Sequence, residues 1–377
     1  MSAVYTYNVQ TAIGSNRVAP IPIEHYNAVM WNDGGLWSTV IGHEWAVNLL
    51  AGALARDKLA HAYLLTGPQH VGKTHLARTM AQLLNCEEVN TTSSDLASPC
   101  QNCRTCQLIT RDVHPDVRLI APTRSRSGRV ETLRIGQVRE LQRELSLSPL
   151  EARYRVPILT RFERASLGAA NALLKTLEEP PSRVVLILTA ESTEALLPTI
   201  VSRCQILPLR PLPVKTVEEA LLFKWGAEEE TAHRLAHLSS GRLGLALKWL
   251  DDPESLDKRE TRLNQMEQCL GADRIENFNL AQNLTTPKAV TSIRETLELW
   301  LGWWRDVLLM AGASTSMLPI TNVDRTETIR DASMRYGVSR ASEGVQNIVL
   351  ALQQLDQNAN PRLVVEMLLL KLRKLSH

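Results

Sequence analysis

The sequence predicts an α/β domain with a five-stranded parallel sheet covered by helices on both faces, followed by two helical domains. Between Trp37 and Leu209 five short apolar runs alternate with helical stretches, the pattern typical of a parallel sheet. After the proline-containing segment 210–213 no further strand-like run occurs, and the periodicity is helical to the end. The length of 377 residues also favours two or three domains over one.

Each element follows from a local pattern. Between the strands, predicted helices include 73–84, 135–145 and 167–178; the last has Ser166 as a candidate N-cap and ends before two prolines. Pro157 lies inside the third strand, where it removes a donor from the hydrogen-bonded ladder. The five predicted strands are residues 61–66, 117–121, 156–160, 184–189 and 205–209.

Four segments are predicted along the chain. Residues 1–36 form a poorly ordered extension, 37–212 the α/β domain, 213–252 a small helical domain and 253–377 a larger helical domain. In the last of these Trp300, Trp303 and Trp304 have helical spacing, and we predict that they lie in a helix-packing core rather than at a ligand site.

Composition excludes several classes of protein. A net charge of +2 gives no strong overall field toward nucleic acid, so any DNA contact comes from a local patch or an assembly. The sequence contains no run of 18 apolar residues, so no membrane span is predicted, and the first 36 residues lack the pattern of a secretion signal. We therefore expect a cytoplasmic protein.

A complete phosphate-loop motif follows the first predicted strand and opens a helix, as this motif requires. Its glycines let backbone N–H groups close around phosphate oxygens, and the helix N-terminus adds a positive dipole end. The expected ligand is ATP or ADP with magnesium; Lys73 would bridge the β and γ phosphates, and the Thr74 hydroxyl would hold the magnesium ion. A relic loop that binds no nucleotide stays an alternative. The motif comprises Gly67, Pro68, Gln69, His70, Val71, Gly72, Lys73 and Thr74.

Four of the six cysteines cluster in one stretch: Cys86, Cys100, Cys103 and Cys106. Without an export signal a disulfide framework is disfavoured, and this spacing predicts a structural zinc site with four thiolate ligands. An iron–sulfur cluster and unligated thiols are the alternatives.

Several strings together resemble the bacterial clamp-loader family of AAA+ proteins. They are VIG at 40–42, HAYLLTGP at 61–68, NALLKTLEEPP at 171–181 and LPTIVSRC at 197–204, with a four-cysteine module after the phosphate-loop helix. The resemblance is strong from about Trp37 to Leu250 and weaker beyond. It implies an AAA+ nucleotide-binding domain, a lid domain at 213–252 and a collar domain at 253–377. The implied partners are the other clamp-loader subunits (gamma/tau and delta), the sliding clamp and primer-template DNA.

Two departures set this chain apart from the family's motor subunits, gamma and tau. Where those subunits carry an Asp-Glu pair, this chain has Thr160 and Arg161, and Glu163 lies two residues out of register. Gly244 stands where they carry a phosphate-sensing arginine, and Arg242 is two positions early. The resemblance thus implies a subunit that does not hydrolyse ATP itself.

The Ser-Arg-Cys string at 202–204 is retained. On the sequence alone Arg203 is most simply a surface arginine at the start of a strand. The resemblance implies instead that it projects into the ATP site of a neighbouring subunit as an arginine finger. An active gamma/tau-type ATPase is the main alternative for the whole chain, and a P-loop nucleotide or small-molecule kinase is the other.

Overall fold

The computed structural model describes residues 40–88, 99–124, 131–286, 289–312, 320–357 and 359–375. The extension predicted at 1–36 lies outside the described residues. The division of the chain at 212/213 and 252/253 stays a prediction, and the lid and collar names are kept below for those two ranges.

The α/β region contains the predicted five-stranded parallel sheet, with strand order β2-β5-β6-β1-β7. A short antiparallel pair, β3 and β4, follows β2 along the chain. The predicted fold class is confirmed. The strands are β1 Ala62–Thr66, β2 Val117–Ile120, β3 Thr123–Arg124, β4 Glu131–Thr132, β5 Val156–Leu159, β6 Leu186–Ala190 and β7 Gln205–Pro208.

Helices cover both faces of the sheet because side chains alternate along its buried strands. In β1, Tyr63 and Leu65 pack into one hydrophobic cluster with the first two helices, while Ala62 and Leu64 pack into the other with the fourth and fifth. The helices are α1 Glu44–Ala55, α2 Lys73–Asn85, α3 Arg104–Thr110, α4 Ile135–Leu145, α5 Leu167–Glu178 and α6 Pro198–Val201.

Pro157 lies in an interior strand, since β5 runs between β2 and β6. Val156 donates its N–H to Asp116 on the β2 side, so the nitrogen of Pro157 faces β6 and has no hydrogen to donate. The β5–β6 ladder accordingly has a bridge at Arg155 and resumes only at Ile158. The sixth strand therefore begins at Leu186, two residues later than the sequence predicts.

Beyond β7 the described residues form helices and their connections, and they contain two further hydrophobic clusters. The lid helices are α7 Val214–Trp225, α8 Glu229–Leu238 and α9 Leu243–Asp251, packed around one of them. The collar helices surround the other and are α10 Pro253–Gly271, α11 Arg274–Leu284, α12 Ile293–Gly312, α13 Thr326–Asp356 and α14 Pro361–Lys374. A kink interrupts α13 at Gly337, where φ is +60°.

The predicted tryptophan core is confirmed in the collar. Trp300, Trp303 and Trp304 are at most 2% exposed, and the Trp303 and Trp304 rings meet edge to face. Gly344 of α13 makes this packing possible, because a Cβ there would lie 2.6 Å from the Trp304 ring. In the described part of the chain, no helix combines the length and apolar character needed to cross a membrane.

Candidate functional site

The phosphate loop connects β1 to α2 and depends on its two glycines. Gly67 has φ of +142°, and a Cβ on it would lie 2.3 Å from the carbonyl oxygen of Leu209. Gly72 has φ of +107° and open space where a Cβ would project. Residues with a side chain are strained at such φ values, so glycine is needed at both positions. The resulting turn leaves the N-terminus of α2 facing the loop, where a phosphate group would bind.

Lys73 turns back over this loop. Its Nζ donates to the carbonyl oxygens of Gly67 at 2.5 Å and Pro68 at 2.7 Å. Burial lowers the pKa of Lys73, and the nearby carboxylates of Glu163 and Glu191 oppose that shift. An ammonium over a glycine loop at a helix N-terminus is the donor set that a polyphosphate needs, so these residues fit a bound nucleotide.

The positions where motor subunits carry their acids hold no carboxylate here. Thr160 follows β5 and is buried, and its N–H donates to Ile120. Arg161 has a left-handed φ of +50°, and its N–H donates to the Thr189 hydroxyl at 3.0 Å. Neither residue can act as a carboxylate base or hold magnesium with an acidic oxygen.

The structure nevertheless brings Glu163, set aside in the sequence for its register, toward the loop. The left-handed Arg161 leads into a 3₁₀ turn, Phe162–Arg164, and the Glu163 Oε2 atom is buried without a hydrogen-bond partner. Burial raises the pKa of Glu163; the negative charge of Glu191 acts in the same direction, and Lys73 in the opposite one.

Glu191 is a residue of this region that the sequence analysis did not single out. It follows β6, the strand next to β1, so the carboxyl ends of the parallel strands bring it to the loop. Gly67 N–H donates to its carbonyl oxygen at 3.1 Å, and Gln69 Nε2 donates to its carboxylate at 2.6 Å. Its position directly after a buried strand was the signal in the sequence.

The start of α9 in the lid contacts the phosphate loop. Gly244 N–H donates to the carbonyl oxygen of His70 at 3.0 Å, and a Cβ on Gly244 would lie 2.8 Å from that oxygen. A longer residue at this position would push the two segments apart. Arg242 lies near His70, where burial lowers the histidine pKa and Lys248 and Arg242 lower it further.

Arg203 lies at the opposite end of the sheet from the loop of its own chain. Gln205 pairs with Tyr63 in parallel β7 and β1, so Arg203 precedes the strand whereas the loop follows it. At a strand rise of about 3.3 Å per residue, the two are separated by roughly 15–20 Å along the strand direction. Arg203 donates to Thr199 O and to Glu178 Oε1, each at 2.9 Å, with its side chain 35% exposed.

The four clustered cysteines are brought together as their spacing predicts, with their sulfur atoms all within 4.8 Å of one another. Three backbone N–H groups point at sulfur: Cys100 toward Cys86, Cys103 toward Cys100 and Cys106 toward Cys103, at 3.2 to 3.4 Å. Gln82 of α2 donates to Cys106 O and to the Thr110 hydroxyl, which fixes α3 beside the sulfurs.

This arrangement could hold a metal ion. Tetrahedral zinc with Zn–S bonds of about 2.3 Å needs sulfurs about 3.8 Å apart, a short adjustment from the observed cluster. Burial raises the pKa of both Cys86 and Cys106, so thiolates there are unfavourable unless a cation offsets their charge. With four protein ligands, such an ion would have no open coordination position.

Comparison with known proteins identifies the family. A family model described as DNA polymerase III, delta subunit, matches residues 42–213, and one described as the C terminal of that subunit matches residues 253–374. The first spans the phosphate loop, the cysteines and Arg203, and the second spans the collar helices.

Individual relatives agree with these models. The DNA polymerase III subunit delta prime of Bacillus subtilis is 28% identical over 338 residues, which are 87% of this chain and 95% of that protein. The tau subunit of the same organism is 27% identical over 90% of this chain but 61% of its own length. The gamma subunit of Buchnera aphidicola (subspecies Schizaphis graminum) is 30% identical over 62% of each chain.

The chain spans less than two thirds of these tau and gamma subunits and nearly all of the delta prime subunit. The two family models match in chain order and together extend over most of its length. The chain therefore belongs to the family of DNA polymerase III clamp-loader subunits.

Proposed function

We propose that this chain acts as a delta prime-type subunit of the clamp loader, helping to load the sliding clamp onto primed DNA without hydrolysing ATP itself. It would do so in a ring with gamma/tau and delta subunits, and would meet primer-template DNA mainly through that complex. In this role the chain works in the bacterial cytoplasm, at the nucleoid-associated replisome.

The observation that carries this proposal is the separation between Arg203 and the chain's own phosphate loop. An arginine before β7 is at the wrong end of the sheet to reach a nucleotide on Lys73. It is partly exposed at an edge strand, so a neighbouring subunit can approach it. A guanidinium supplied in trans would stabilise the charge that develops on a phosphate transferred in the neighbour's site.

The loop itself would bind ATP or ADP with magnesium, through Lys73 and Thr74, without turnover. Hydrolysis needs a carboxylate to position the attacking water, and Thr160 and Arg161 occupy the places where the motor subunits carry theirs. We further propose that the metal held by Cys86, Cys100, Cys103 and Cys106 is zinc, because closely spaced thiolates favour it in a reducing compartment.

A gamma/tau-type ATPase remains the second candidate, favoured by one observation. The Oε2 atom of Glu163 is buried, and the carboxylate lies near Lys73, where one is needed, although it is out of register with the motor subunits' acids. Sustained ATP hydrolysis by the pure, isolated chain would decide for this candidate.

The test uses the clamp loader reconstituted with Arg203→Ala. We expect DNA-stimulated ATPase and clamp loading to fall, by less than the ~10³–10⁵-fold of a finger that serves every site, because only one site borrows this arginine. Arg203→Lys should be nearly as defective, since lysine cannot fork onto phosphate oxygens. Subunit assembly, zinc content and nucleotide binding by this chain should not change.

The matched control is Arg153→Ala, which removes an exposed arginine shortly before β5, at the same end of the sheet. It should leave the loader at its wild-type rate. If the Arg203→Ala loader also works at the wild-type rate, Arg203 is a surface residue and the trans role is wrong.

A further inference from the structure

The carboxylate of Glu191 already uses donors at the mouth of the phosphate loop. Its Oε1 accepts from Gln69 Nε2 at 2.6 Å, and its Oε2 lies 3.9 Å from Nη2 of Arg294 in α12 of the collar. Both the Glu191 and Arg294 side chains are 27% exposed. Glu191 therefore occupies the space between a loop side chain and a collar arginine, as an anionic ligand would.

Charged side chains of both signs lie around this position. Lys73, Arg242, Lys248 and Arg294 supply positive charge near the loop. Negative charge comes from Glu163, Glu191, Glu295 and Glu298, and Glu298 also pairs with Arg294 at 3.1 Å. A phosphate that enters gains less attraction here than at a loop whose cations lack such partners.

We propose that Glu191 makes this loop selective for a nucleoside diphosphate over a nucleoside triphosphate, by holding its carboxylate where the terminal phosphate of the triphosphate would lie. This inference rests on the proposed nucleotide binding and adds its ligand preference.

The physical reason is the reach of Lys73. In this motif the lysine contacts the β- and γ-phosphates, so a carboxylate that interacts with Lys73 and bonds Gln69 faces the outer phosphate. ATP carries one more ionised phosphate than ADP and places it nearest to Glu191. Like charges a few ångström apart disfavour each other even at the dielectric of a protein surface.

The experiment measures ADP and ATP affinity of the full-length chain in excess magnesium, by titration calorimetry. We expect ADP to bind about tenfold more tightly than ATP, a difference of about 1.4 kcal/mol. Glu191→Gln keeps the shape and can still accept from Gln69, but removes the charge. It should raise ATP affinity about tenfold, change ADP affinity little and so abolish the preference.

Glu194→Gln is the matched control, because it makes the same change at an exposed glutamate three residues further along the chain. It should keep the preference. Thermal unfolding and zinc content verify that each variant is folded, and Glu191→Ala supplies a second charge-removing variant. If neither nucleotide binds the wild type, the gain of ATP binding by Glu191→Gln supports the proposal and its absence overturns it.

Tighter ATP than ADP binding by the wild type overturns the inference, because the Glu191 carboxylate would then not disfavour the terminal phosphate. A preference retained by Glu191→Gln overturns it as well. Adding Lys73→Ala to Glu191→Gln should remove binding of both nucleotides. Persistent binding would place the nucleotide elsewhere and contradict the inference, while the Arg203 experiment on the reconstituted loader would still decide the proposed function.

Discussion

The two ends of the central sheet differ in what they offer a nucleotide. At the carboxyl end, the phosphate loop presents Lys73 over its glycines, and the strand ends add Glu163 and Glu191. At the amino end there is no loop of this kind in the described residues, and Arg203 is held there by Thr199 and Glu178. One end is suited to bind phosphate, and the other presents arginine side chains without a phosphate loop.

Under the proposed function, this difference would divide one reaction between subunits that share a fold. A phosphate loop does not hydrolyse ATP unless other groups position the attacking water and stabilise the negative charge that develops on the transferred phosphate. In this chain the groups for those tasks are changed at one end, while an arginine suited to charge stabilisation lies too far away to serve its own loop. The comparison predicts that substitutions at the carboxyl end impair nucleotide binding by this chain, whereas substitutions at the amino end impair only the activity of the assembled loader.

The largest effect is expected from Lys73→Ala at the carboxyl end. It should weaken ATP and ADP binding by the isolated chain on the order of 100-fold, because the ammonium is the loop's main charged donor to the outer phosphates. Equilibrium dialysis with labelled nucleotide measures this effect, and Lys58→Ala, an exposed lysine after α1, is the control. Clamp-loader assembly should persist, and unchanged nucleotide affinity would contradict a functional loop.

A second variant asks whether the cysteine cluster is independent of both ends. Cys100→Ala with Cys103→Ala should reduce zinc from about one ion per chain to none, since two thiolates do not complete a tetrahedral site. Elemental analysis measures the metal, and hydrogen exchange should rise locally around α3 because the metal orders this module rather than the whole fold.

Cys204→Ala is the control for this variant. Cys204 lies apart from the cluster, and burial raises its pKa to about 12, so it is a neutral, partly buried thiol. Zinc should remain at full occupancy in Cys204→Ala. Full zinc in the double variant would rule out the four-cysteine site.

The smallest effect is expected from Glu178→Gln at the amino end. The Arg203–Glu178 pair is partly exposed on both sides, and such pairs contribute about 0–1 kcal/mol to stability. Unfolding midpoints should therefore shift little. Loader ATPase should stay within about threefold of wild type, because Arg203 keeps its charge. A defect as large as that of Arg203→Ala would show that the pair, rather than the arginine, matters.

Much of this molecule is predictable from local pattern. Alternating apolar runs and helical periodicity predict the sheet and the helices because both periods are read within a few residues. The phosphate loop and the cysteine cluster are predictable for the same reason: the residues that form each of them are close together in the chain. The tryptophan core follows from helical spacing alone.

Other features depend on contacts between distant segments. Pro157 is tolerated in an interior strand because the β5–β6 ladder has a bridge at Arg155 and resumes at Ile158, leaving out the residue that has no donor. Glu163 lies near Lys73 because Arg161, in a left-handed conformation, turns the chain after β5. The register of a strand does not predict such a turn.

Thus the sequence by itself determined the fold class, the phosphate loop, the four-cysteine cluster and the absence of acids at 160 and 161. Only the tertiary structure decided which charges lie near the loop, because Glu191 comes to Lys73 from a neighbouring strand end and Arg294 of the collar comes near Glu191. It also decided that Arg203 and the loop lie at opposite ends of the sheet, since parallel β1 and β7 set one before and the other after a strand. Electrostatic interactions depend on distance in space, which separation along the chain does not reveal.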